Sequence, residues 1–271
     1  MATVADILSV AETLWPTSGA SSWDAVGLVS GANDATVEHI HLAVDAVLDT
    51  VDEAISLGAG MLLTHHPLLL RGVTTIAEDR YKGAVLARLI RANCALLAAH
   101  TNADVVESGT SATLAQRLGL TGITPIEIGE SPTRGIGRVG DLAVPTTLGR
   151  LARALGDILP ATAGGILVSG HYDAPISRIA LCAGAGDTFV REPAVLGADV
   201  FITSDLRHHP ASEFRENARI AGGPALINVS HWASEWLWLE SAAGELRAAL
   251  PELTITVSEL RTDPWDFMVV Q

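Results

Sequence analysis

Positive charge is scarce in this chain. Its 271 residues include 17 lysines and arginines against 31 aspartates and glutamates, a formal charge of −14. Binding along a phosphate backbone needs clustered cations, so no nucleic-acid partner is expected. Cysteine is scarcer still. Cys94 and Cys182 lie far apart in apolar runs and form no C-x-x-C pair, so both read as buried core thiols. With no disulfide framework, a reducing, cytoplasmic setting is expected. The stretch from Met1 to Trp15 carries Asp6 and Glu12 but no basic residue, unlike a secretory signal. No apolar run reaches the ~18 residues of a membrane span, so no membrane partner is expected. Sequence repeats and low-complexity tails are lacking as well.

What the chain does have is apolar patterning: 48% of residues are hydrophobic and 18% charged. That suffices for one large α/β domain or two lobes with cores of their own. Helical spacing is read over 4–14, 46–57, 81–92, 110–118, 148–159, 188–196, 211–218 and 233–249. Strands are read over 39–44, 123–128, 137–144, 165–169, 176–182 and 254–260, and in the apolar runs ending before His65, His100, Asp205 and His231. Such alternation predicts α/β layers with largely parallel sheets. The Gly-, Pro- and Ser-rich stretch 119–137 is the best boundary between lobes.

Six of the nine histidines fall just past the end of a predicted strand. Met61-Leu62-Leu63-Thr64 runs into His65-His66-Pro67, and Leu96-Leu97-Ala98-Ala99 into His100-Thr101-Asn102-Ala103-Asp104. Val200-Phe201-Ile202-Thr203 leads to Asp205, His208 and His209. Ala225-Leu226-Ile227-Asn228-Val229 leads to His231 and, four residues on, Glu235. Ligands of α/β sheets gather beyond the carboxyl ends of strands. In parallel sheets these groups and Asp45 would converge on one rim. Neighbours on a strand point to opposite sides, but a loop after the strand lets His65 and His66 each serve one metal of a pair. Imidazole with carboxylate suits Zn, Fe or Mn. Two histidines, an aspartate, a further histidine and a glutamate exceed what one catalytic ion with an open position needs. They suit two ions sharing a bridging carboxylate, a pair that would activate water.

Blander readings apply elsewhere. His39 and His41 alternate on a strand face, where hydrogen-bonded core histidines are common. His171, beside Gly170, reads as a surface-loop residue. His208-His209 precede Pro210 and could simply be solvated at a helix start. Gly184-Ala185-Gly186-Asp187 lacks the third glycine of a dinucleotide fingerprint and reads first as a tight turn, with amides offered to a phosphate as the sharper option. Trp232, Trp236 and Trp238 read first as packing residues, with a base-stacking shelf as the alternative.

Several pieces together resemble the GTP cyclohydrolase I type 2 family, also called NGG-one-interacting-factor-three-like. They are Asp24-Ala25-Val26-Gly27-Leu28, Thr64-His65-His66-Pro67-Leu68, His100-Thr101-Asn102-Ala103-Asp104, the segment from Gly197 to Asp205, and His231 with Glu235. They occur in family order across nearly the whole chain. The resemblance implies a dinuclear centre held by His65, His66, Asp104, His231 and Glu235, with Asp104 bridging. It also implies two α/β lobes with the metals in the cleft between them: 1–122 with 230–271, and 123–229. It further implies a ring-shaped homohexamer. The chain departs from the family at Ser230, where glycine is frequent, at Ser204 within Thr203-Ser204-Asp205, and at Ser212, near which many members carry histidine. It is too short for the domain that some members insert. Two classes of function follow. One is a metal-dependent hydrolase acting on a nucleotide or another small phosphorylated or cyclic compound, with His100 or His209 moving protons. The other is a non-catalytic metal-binding or metal-handling scaffold that meets partners.

Overall fold

The structure is a computed structural model and describes residues 1–270. Its contacts group the chain into two units, Met1–Ala103 with Leu239–Thr262, and Asp104–Trp238 with the tail from Asp263.

The first unit is built on a five-stranded sheet ordered Thr254–Val257, His39–Ala43, Met61–Thr64, Ala95–Ala98, Gly27–Ser30. The first four strands run parallel and the last is antiparallel. Met61–Thr64 and Ala95–Ala98 are buried along their whole length, which is why they read as unbroken apolar runs rather than alternating ones. Helices Leu48–Ser56 and Tyr81–Arg91 bury Val51, Ala54, Val85 and Leu89 against Leu62 and Leu96. Each buried valine or leucine of this set contributes ~1.5–3 kcal/mol by leaving water. Cys94 belongs to this cluster, and burial pushes its thiol up to about 11. Helix Val4–Leu14 starts at a capping box in which Thr3 and Asp6 satisfy each other's backbone amides.

The register of this sheet positions the chemistry. Ala43, Thr64 and Ala98 stand side by side on adjacent parallel strands. The residues that follow them, Asp45, His65-His66 and His100, therefore leave the sheet from one edge.

The second unit holds a six-stranded sheet ordered Leu167–Ser169, Ala225–Val229, Val200–Ser204, Pro175–Ala185, Arg138–Thr147, Leu120–Thr124. Ala225–Val229, Val200–Ser204 and Pro175–Ala185 are mutually parallel, and the outer pairings are antiparallel. The architecture is thus α/β as expected, with one sheet mostly parallel and the other mixed. Phe201, Ala180, Leu226, Phe214 and Cys182 share its core. Ser204 lies in register with Val229, so Asp205 and His231 also leave a common edge.

Several elements differ from the sequence reading. The strand expected over 123–128 is two pieces, Leu120–Thr124 and Glu127–Ile128. Pro125 falls between them and can donate no ladder hydrogen bond. The helix expected over 188–196 is a 3-10 segment, Asp187–Arg191, and a short helix, Pro193–Leu196; Pro193 restarts the turn at the position where a missing N–H costs nothing. Helices expected from 211 and 233 begin at His208 and His231. By contacts the units change over at 103/104 and 238/239. Helix Thr110–Arg117 packs on strands of the second sheet, which places it with that unit. Among the described residues, no helix is long and apolar enough to cross a membrane.

Candidate metal centre

On the first unit, three imidazoles form a compact group. The rings of His65 and His66 are 5.1 Å apart, those of His65 and His100 5.1 Å, and those of His66 and His100 5.5 Å. One ring nitrogen from each lies within 4.8 Å of the others. The two consecutive histidines share this place because the chain turns as the strand ends. His65 and His66 N–H donate to the carbonyls of Ala43 and Val44, and the Thr64 hydroxyl donates to the His66 carbonyl at 2.9 Å.

Each ring is oriented from behind through Nδ1. His65 Nδ1 meets the Ala99 carbonyl at 2.9 Å, His66 Nδ1 meets Asp45 Oδ1 at 2.7 Å, and His100 Nδ1 meets Asp24 Oδ1 at 2.9 Å. A carbonyl or carboxylate only accepts, so in each ring Nδ1 carries the hydrogen. In the neutral imidazole that leaves the lone pair on Nε2, the arrangement of metal-ligating histidines. Asp45 is itself held by the Thr262 hydroxyl. Asp24 accepts from the Thr101 hydroxyl and from the Thr101 N–H at 3.0 Å. Burial alone would raise the Asp24 carboxyl, but the hydrogen bonds and charge of His100 and those of Thr101 hold it well below the usual carboxylate range.

The second unit carries its own group, centred on His231. Ser230 caps the helix that begins there: its hydroxyl accepts the Ala233 N–H at 3.2 Å and donates to Asp263. Serine at this departure from the family pattern therefore has a structural use. His231 Nδ1 meets Asp205 Oδ2 at 2.7 Å, and Nε2 meets Glu235 Oε1 at 3.0 Å. Burial would lower the imidazolium, but the Glu235 charge and the Asp205 hydrogen bond outweigh it and hold His231 up to about 11. Asp205 adopts φ 55°, a left-handed conformation that aspartate tolerates better than most residues.

Glycine is required beside this pair. Gly184 has φ +73°, and a Cβ there would sit 2.3 Å from Glu235 Oε1 and 3.2 Å from His231 Nε2. Its N–H donates to Ser234 Oγ at 2.9 Å, and its carbonyl accepts the Thr203 hydroxyl at 3.1 Å. Gly184 lies near the end of strand Pro175–Ala185 rather than in the tight turn expected over 184–187, and is a close backbone approach to the His231–Glu235 pair. Half-buried Asp104 accepts the Thr110 hydroxyl. Buried Arg138 donates to the carbonyls of Val106, Gly135 and Gly137, and Asp104 contributes to holding its charge against the cost of burial.

The other histidines separate from these groups. His41 is buried between Thr256 and Glu53, and His39 reaches Thr256, so both tie strand to strand as expected. His171 is exposed. His209 is exposed at a helix start and lines a cavity of about 940 Å³ with Asp187, Arg191, Glu213 and Asn217. Trp232 and Trp238 are buried, and Trp236 packs against Trp232 with ring centroids 6.3 Å apart; packing is their role. Sequence reasoning assigns no part to Arg138 or Ser234, and places neither Asp24 behind His100 nor Gly184 beside Glu235. Asp24 lies within one of the family-like segments, and Gly184 opens the Gly184-Ala185-Gly186-Asp187 segment, so a signal exists for those two.

Together the fold and these side chains define an α/β protein that carries a histidine–carboxylate group on each unit, a donor set that fits divalent transition metals. The Duf34/NIF3 (NGG1p interacting factor 3) profile matches residues 2–264, and the chain belongs to that family. It is 42% identical to a Streptomyces coelicolor protein named GTP cyclohydrolase 1 type 2 homolog, over 98% of this chain and 94% of that one. A Mycobacterium tuberculosis protein of the same name is 31% identical, over 97% and 96%. Among solved structures, a Staphylococcus aureus hypothetical protein superposes with TM-score 0.87 at 27% identity, covering 98% of this chain and 99% of that one. A Bacillus cereus protein related to NIF3 superposes with TM-score 0.86 at 22% identity, with the same coverage.

Proposed function

We propose that this protein binds two divalent metal ions through His65, His66, Asp104, His231 and Glu235 and uses them to hydrolyse a nucleotide or a similar small phosphorylated or cyclic compound. One observation carries the reading: His65, His66, His100 and His231 each turn Nδ1 to a carbonyl or carboxylate. One such histidine is common in any core; three grouped beyond the parallel strands of the first unit, with a fourth on the second unit, favour a built donor set. Zn, Fe or Mn suits these donors, and bound ions of that kind would polarise the substrate and acidify water.

The chain's own residues have separable parts in this reading. Ala99, Asp45 and Asp205 fix the ring planes of His65, His66 and His231. Asp104 offers a carboxylate that can bridge, steadied by Thr110. His100, held by the ionised Asp24, stands beside His65 and His66 and is suited to carry a proton, with His209 as a second candidate. The name shared by the relatives makes GTP the first compound to try. A ring-shaped homohexamer of cytoplasmic chains belongs to the same proposal and is open to light scattering.

Elemental analysis of gently purified protein, followed by turnover assays on GTP and a nucleotide panel, tests the reading. Two ions per chain and metal-dependent turnover are expected. No bound metal under any divalent-metal condition would refute it. Full metal content with no turnover across the panel would instead favour a non-catalytic metal-binding scaffold.

A further inference from the structure

Trp23 is 60% exposed, while Trp15, Trp232 and Trp238 are buried. Single exposed apolar side chains are ordinary. This one is held unusually firmly and in a particular place. Asp24 N–H donates to the Ser21 carbonyl at 2.9 Å, closing the turn 21–24. Ser21 N–H donates to Thr101 Oγ1 at 2.9 Å, Thr101 N–H to Asp24 Oδ2 at 3.0 Å, and Asp24 Oδ1 takes both Ala25 N–H at 2.7 Å and His100 Nδ1 at 2.9 Å. The turn bearing the indole is therefore locked to the segment bearing His100. The two rings meet edge-to-face, with centroids 5.9 Å apart and planes at 76°. His100 in turn neighbours His65 and His66, so the indole stands one ring beyond the imidazole trio with much of its surface in solvent.

We propose that Trp23 is a stacking platform for a flat heteroaromatic ring, such as a purine base, in the compound handled at this histidine group. The proposal rests on the metal-site reading above and narrows its substrate class. A rigid indole offers a π-face at little entropic cost, and every nucleobase has a matching face. The acids behind the trio, Asp24 and Asp45, do not attract a phosphate. On the metal-site reading a phosphate would be held by the ions and not by these acids, which leaves a ring as the part of a ligand that the indole face can hold.

The test is calorimetric binding of guanosine 5′-monophosphate and of ribose 5-phosphate to metal-loaded wild type, Trp23→Phe and Trp23→Ala, with metal content and mass measured on the same preparations. Wild type should bind the nucleotide more tightly than the ring-free sugar phosphate. Trp23→Ala should weaken nucleotide binding about tenfold or more, Trp23→Phe much less, and neither should change binding of ribose 5-phosphate. Equal binding of the two probes by wild type, or unchanged nucleotide binding by Trp23→Ala, overturns the platform. A change in assembly mass with no change in binding also overturns it, and makes Trp23 a contact between copies. Ring-selective binding lost in Trp23→Ala but indifferent to metal would uphold the platform while defeating the metal-site reading.

Discussion

Gly184→Ala is the sharpest perturbation of the second histidine–carboxylate group. Two costs are expected, and a control separates them. Alanine at φ +73° costs ~1–2 kcal/mol in the backbone alone. The added methyl would also lie 2.3 Å from Glu235 Oε1, so that oxygen must withdraw by about 1 Å to reach ordinary contact. Normally the far end of a glutamate would yield cheaply. Here Glu235 is 4% exposed and its Oε1 lies 3.0 Å from His231 Nε2, so withdrawal breaks the contact that defines the site. Gly222 has the same φ, +73°, but a Cβ added there would meet nothing within 4 Å. Gly222→Ala should therefore show the backbone cost alone. Both variants should melt several degrees lower, at roughly 2–4 °C per kcal/mol for a unit of this size. Only Gly184→Ala should also lose metal affinity, by about 10- to 100-fold, the range seen when ligand orientation is disturbed. Thermal melts and metal titration of the two variants side by side are the assay. Equal metal affinity in Gly184→Ala and Gly222→Ala would refute the reasoning.

Three further outcomes are expected. Asp104→Ala should empty both metal positions, whereas His65→Ala should lose mainly one ion; full metal content in Asp104→Ala, by elemental analysis, would remove it as the bridge. Asp24→Ala strips His100 and the Thr101 amide and hydroxyl of their acceptor and should cost ~2–4 kcal/mol in urea unfolding; a loss within error of zero would show that water replaces the carboxylate. In the metal-free protein His231 is held up to about 11 by Glu235 and Asp205. The stability from this charged contact should be complete below the unfolded value near 6.5 and fade as pH rises through about 11, and an NMR titration of His231 with a midpoint near 6.5 would contradict it.

Much of this is legible in the sequence, for physical reasons that also mark its limits. Strands such as Met61–Thr64 and Ala95–Ala98 are buried on both faces, so they announce themselves as apolar runs, and a polar ligand after such a run stands out. Strand Gly27–Ser30 gives no such signal because it is only half-buried along its length and carries glycine and serine. Register is invisible in a linear sequence. Nothing in the spacing of Asp45, His66 and His100 says that Ala43, Thr64 and Ala98 are paired. The residues behind the ligands are hidden for the same reason. Asp24 is 76 residues from the imidazole it holds, and Gly184 reaches Glu235 only through the folding of strand Pro175–Ala185 alongside the helix that starts at His231. Candidate donors can be read from their type and place at strand ends, but the groups that orient them require the fold.

Charge within each unit adds to the argument for the proposed divalent ions. In the first unit, Asp24 and Asp45 stand directly behind His100 and His66, while His65 is held by a neutral carbonyl. Two carboxylates therefore face a group of imidazoles whose neutral forms bring no compensating charge. In the second, Asp205 and Glu235 flank His231, and the charge of Asp104 is answered by buried Arg138. Again two negative charges are left over. Each group thus lacks two positive charges unless protons or a cation supply them. Within the second unit, the Glu235 charge and the Asp205 hydrogen bond favour the charged form of His231 and so meet part of that lack. On the proposed reading, His231 would hold an ion only in its neutral form, so metal would compete with a proton there. Binding should therefore release about one proton per ion at this group near neutral pH. The first unit, where His65 Nδ1 is held by the neutral Ala99 carbonyl, should release less. Calorimetric titration of metal in buffers of different ionisation heat reads this difference directly, and the His231→Gln variant should abolish the larger release while leaving the smaller one.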